Sequence, residues 1–70
     1  MDFPNVSRSV LNLLIEEWIL SERNRKILKR RFLDNIRLEP LAEEFDLSVR
    51  QIRRIVTDGK ATLKAHLIDE

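Results

Sequence analysis

Cysteine is absent from this chain of 70 residues, histidine occurs only at position 66, and glycine only at position 59. Without cysteine there is no disulfide framework and no thiolate metal site, and one imidazole cannot build a metal centre. No cofactor or metal is expected. The usage fits a reducing cytoplasm, and the opening MDFPNVSRSV has no basic stretch leading into a long apolar run of the kind a secretory signal carries. The apolar run VLNLLIEEWIL is cut by Asn12, Glu16 and Glu17, so it is too polar for a membrane span. The chain reads as soluble and cytoplasmic. Catalysis finds no constellation either. Glu39 and Glu43 lie four apart, but no nucleophile with a base, no metal ligands and no pocket-forming glycines accompany them, so an enzyme is not expected.

One glycine and two prolines leave few places to turn, and strand-like alternation never runs for a useful length. The expectation is an all-α fold, a small four- to five-helix domain occupying residues 1–70, whose core supplies only a few kcal/mol. A net charge of +1 hides strong blocks of opposite sign. Residues 22–37 carry plus five, residues 38–47 minus four, and residues 48–66 plus four.

Start signals divide the chain. Ser7 or Ser9 can cap a first helix within 1–20, and Ser21 a second that turns Ile27, Leu28 and Phe32 inward. Asp34-Asn35 suits a turn, because both residues tolerate left-handed backbone. A third helix is expected from Leu38, with Pro40 in its first turn, burying Leu38, Leu41, Ala42 and Phe45 and ending at Asp46. Ser48 with Gln51 forms a capping box for a fourth helix, whose inward face is Ile52, Ile55 and Val56. Thr57-Asp58-Gly59 reads as a break, since glycine costs about 1 kcal/mol inside a helix but caps one well. A core over 21–58 would then be followed by a short helix within 59–70 that uses Leu63, Leu67 and Ile68.

Residues 38–57 have the spacing of a helix-turn-helix: Leu41, small Ala42 where two helices cross closely, Phe45, turn residue Asp46, Leu47, then Ile52 and Ile55. Over "SERNRKILKRRFLDNIRLEPLAEEFDLSVRQIRRI", residues 21–55, the chain resembles region four of bacterial sigma factors. The family's opening is similar to Ser21, Asn24-Arg25, Ile27 and Leu28, its Arg-Tyr/Phe pair to Arg31-Phe32, and its helix-turn-helix run to Leu38, Leu41, Ala42, Phe45, Leu47 and Ser48. LuxR-type regulators and phage middle-operon activators share the same module. Asp46 in place of the usual turn glycine and Gly59 in a normally unbroken basic helix are departures. Nothing in the chain could be a sigma factor's second domain, which leaves a module working alone, as in small phage and mobile-element regulators, or a piece of something larger.

The resemblance implies a sequence-specific DNA-binding transcriptional regulator of bacterial or phage type, with helix 48–58 in the major groove of double-stranded DNA. Ser48, Val49, Arg50, Arg53, Arg54 and Thr57 are its expected base contacts. Arg reads guanine O6 and N7, and the methyls of Val or Thr meet thymine. Arg25, Lys29, Arg30, Arg37 and Lys60 are expected at phosphates. The alternative is a sigma-like adaptor that binds RNA polymerase or another regulator with little DNA contact. The first helix is apolar round more than half its circumference, so Val10, Leu13, Leu14, Trp18 and Leu20 are expected to meet a second copy, as a homodimer, or a protein partner.

Overall fold

Three of the four helices begin where a serine hydroxyl satisfies a first-turn amide, and the remaining one where a proline removes an amide. In the computed structural model, which describes residues 3 and 6–67, the Ser7 hydroxyl accepts from the Val10 amide and opens α1, Arg8–Trp18. Ser21 accepts from Asn24 and opens α2, Glu22–Phe32. No side chain caps α3, Leu38–Phe45, whose first turn instead contains Pro40 and so lacks one amide to satisfy. Ser48 and Gln51 form the reciprocal capping box of α4, Val49–Ala65.

Positive backbone φ marks both tight turns. Asn35 closes the α2–α3 loop at φ 57°, and Asp46 ends α3 at φ 56°, its amide donating back to Ala42 and Glu43. The left-handed region costs a side-chain-bearing residue about 1–2 kcal/mol, whereas glycine's extra freedom in the unfolded chain offsets roughly 0.4–1. Asp46→Gly is therefore expected to stabilise the domain by about 0.5 kcal/mol, raising the Tm by roughly 2–4 °C in a thermal melt. A lower Tm would mean that the Asp46 side chain supports the turn.

α4 is the central element, with α1, α2 and α3 all packed on it. Ile15, Ile27, Leu28, Leu41, Ile52 and Leu63 are wholly buried where the four helices meet. The expected inward residues of α2 are all buried; Leu38, Phe45 and Ile55 are half-buried against the same core. Phe3 joins it edge-on to Phe32, with ring centroids 5.0 Å apart, a core residue that the sequence did not mark.

The expected break at Gly59 does not occur. α4 runs through it for 17 residues, and Gly59 is buried against Leu28 of α2. A Cβ built there would stand 2.5 Å from Leu28 Cδ1, so the missing side chain lets the two helices approach rather than ending one of them. Leu63 accordingly enters the core from α4 itself, not from a separate terminal helix. Ile68 lies outside the described residues.

Candidate nucleic-acid interface

The α3–α4 pair is a helix-turn-helix. Ala42 is buried at the crossing, and its carbonyl accepts from the Leu47 amide at 2.9 Å, which draws the chain back across the end of α3. Leu41 and Ile52 close the pair from within. This fixes how α4 is presented: one side packs inward through Ile52, Val56, Gly59 and Leu63, leaving the opposite side in solvent.

That outward side contains Arg50, Arg53, Arg54 and Thr57, all exposed. Arg50 and Arg53 make no ion pair or hydrogen bond among the described residues, so both guanidiniums are available to a ligand. Arg54 lies 4.0 Å from Asp58, with both side chains well exposed, a contact too loose and too wet to hold it. The other two expected base contacts differ. Ser48 is exposed, but its hydroxyl already accepts from the Gln51 amide at 3.1 Å, and Val49 is half-buried against the core. Because α4 is continuous, Lys64 falls on the same side at successive steps of seven from Arg50 and Thr57. It is exposed, and the expected helix break had hidden it.

The expected phosphate contacts on α2 are engaged internally. Arg25 Nε donates to the Ile19 carbonyl at 2.6 Å, bracing the α1–α2 connection. Lys29 pairs with Glu16 of α1, and its hydrogen bond and charge hold the Glu16 carboxyl below its ordinary range. Arg30 reaches Glu44 of α3 at 3.0 Å and Asp34 at 3.3 Å; the hydrogen bonds it donates to the Glu44 carboxylate push the guanidinium's pKa up further. These pairs tie α2 to its neighbours and cancel much of its positive field. They also account for Glu44, which is turned to a cation of its own fold. Arg37 stays exposed at the entry to α3, whereas Lys60 is half-buried and has a partner already.

A family model described as sigma-70, region 4, matches residues 19–65. The chain belongs to the sigma-70 region 4 family. Comparison with curated proteins and with solved structures gave no match. The region 4 domain is a DNA-binding helix-turn-helix without catalytic function. Its match spans α2, α3 and all of α4, and begins at Ile19, just after α1 ends. Among the described residues no group of histidine, cysteine or carboxylate side chains could hold a metal, and no helix is long and apolar enough to cross a membrane.

Proposed function

We propose that this region 4 domain is a sequence-specific transcriptional regulator that acts in the cytoplasm by setting α4 into the major groove. The observation that carries the reading is the solvent side of α4, where Arg50, Arg53 and Thr57 stand exposed with no competing partner. The helix N-terminus is the part that enters deepest in helix-turn-helix docking, and Arg50 and Arg53 lie in its first two turns. Either guanidinium can donate twice to one guanine, and the Thr57 methyl can meet a thymine. Ser48 anchors the helix rather than reading a base, and Val49 contributes mainly to packing. Lys64 and Arg37 supply charge for phosphates at the edges of the footprint.

One observation favours a second reading. With Lys29 and Arg30 held by Glu16 and Glu44, α2 brings less free charge to the duplex, which suits an adaptor that binds RNA polymerase and touches DNA weakly. Salt separates the two readings. A regulator that neutralises several phosphates loses affinity steeply with salt, by close to one power of the salt concentration for each phosphate contacted. The test is a titration of labelled duplexes from the gene's own neighbourhood, with a scrambled duplex beside them, at two salt concentrations. Selective binding with a steep salt slope is expected. Weak and equal binding to every duplex would overturn the regulator in favour of the adaptor.

A further inference from the structure

α1 stands outside the family match and is where large apolar side chains remain exposed. Leu11 and Ile15 turn one side of it to the core. On another side, Val10, Leu13 and Glu17 follow one another at the three-four spacing by which helices pack along a shared seam, half-buried Leu14 lies beside them, and Leu20 stands exposed just past the end of the helix. Val10 is 45% exposed, Leu13 64% and Leu20 85%. Trp18 forms the edge of the strip and is stacked on His66 with ring centroids 3.7 Å apart, which keeps the indole flat against the end of α4. Glu17, at the C-terminal end of the seam and followed by exposed Leu20, is itself exposed and makes no ion pair or hydrogen bond among the described residues.

We propose that this strip docks an amphipathic helix of another protein, one that sets an arginine or lysine against Glu17. Charge decides between such a partner and a second copy. Covering Glu17 with an apolar surface would strand a carboxylate away from water, which is unfavourable unless a cation meets it. Paired along the same seam, a second copy brings no cation from residues 9–22, which contain neither lysine nor arginine, and its Arg8 donates to the Leu33 carbonyl and lies beside Asp34. Two copies joined along this seam would bury two uncompensated carboxylates. Size points the same way. A helix of 11 residues is about 16 Å long, and a strip of that length presents a few hundred Å², against the roughly 800 Å² per partner of a standard stable interface. One docked helix matches that footprint.

The proposal is independent of DNA binding and can be tested without it. Trp18 is the chain's single tryptophan and reports directly on the strip. The probes are two tryptophan-free amphipathic peptides about 20 residues long, with leucine and isoleucine at heptad spacing, differing only in carrying Arg or Glu at the centre of the apolar face. Titrated into the full chain, the Arg peptide is expected to quench or shift Trp18 fluorescence with at least tenfold tighter binding than the Glu peptide. Glu17→Lys should invert that order. Leu13→Asp, at a site exposed enough to leave the helical circular dichroism unchanged, should abolish both. The proposal is overturned if neither peptide binds saturably or if Glu17→Lys leaves the order unaltered. It is also overturned if the chain alone sediments as a dimer that Leu13→Asp dissociates, which would assign the strip to a second copy.

Discussion

Gly59→Ala is expected to destabilise the domain by about 1 kcal/mol, although it removes a glycine from the interior of a helix. Two effects oppose each other. Alanine is the better helix former by about 1 kcal/mol, a gain that stands alone at an exposed position. At Gly59 the added methyl would sit 2.5 Å from Leu28 Cδ1 and 2.8 Å from Cδ2, so the wholly buried Leu28 side chain must leave its packed position to admit it. Overpacking of this kind costs about 1–3 kcal/mol, which exceeds the propensity gain. Gly59→Val adds two more carbons and a branch, and should lose roughly 3 kcal/mol. That is a large share of the 4–10 kcal/mol typical for a domain of this size. Urea unfolding would show both as lower midpoints. The cause is isolated by a cycle with Leu28→Ala, which alone costs about 2–5 kcal/mol. In that background Gly59→Ala should turn neutral or stabilising, since the clash is gone and only the propensity remains. If Gly59→Ala raises the midpoint with Leu28 intact, the close approach of α2 and α4 is not what requires the glycine.

Gly59 also shows where the sequence stopped being readable. A glycine after Thr57-Asp58 carries the same local signal whether it ends a helix or lets another helix come close, and the deciding partner, Leu28, lies 31 positions earlier. Local signals fared better. Ser21 as a cap and Ser48 with Gln51 as a capping box act within three residues, and both form as expected. The inward residues of α2 followed from period alone, as did the left-handed backbone at Asn35 and Asp46 from side-chain type. Pairings across the fold were not legible. Lys29 with Glu16 and Arg30 with Glu44 span 13 and 14 positions, so a stripe that reads as free positive charge becomes a set of struts between helices. Phe3 was missed for the same reason, being apolar in a segment with no helical period to place it. The outward face of α4 was legible as far as Thr57, and Lys64 was lost only with the helix that carries it.

Alanine in place of Arg50 or Arg53 is expected to weaken binding to the preferred duplex by about 1–3 kcal/mol each, roughly ten- to a hundredfold, while changing binding to a scrambled duplex far less. Both side chains are exposed on the first turns of α4 and hold nothing within the fold, so the urea midpoint should not move. Lys64→Ala should behave differently on the same face. Three turns further along, it is positioned for backbone phosphate, and its loss should weaken every duplex alike and lower the salt slope by about one. Arg30→Ala supplies the contrast, since its guanidinium is held by Glu44 and Asp34 and its removal should cost stability more than affinity. The pattern over the four variants carries more than any single loss. Selectivity that falls with Arg50 and Arg53 but not with Lys64 would place base reading on the first turns of α4. A uniform loss across all duplexes for Arg50, Arg53 and Lys64 would mean that this face grips phosphate only, and the discrimination between sites would then have to come from a bound partner.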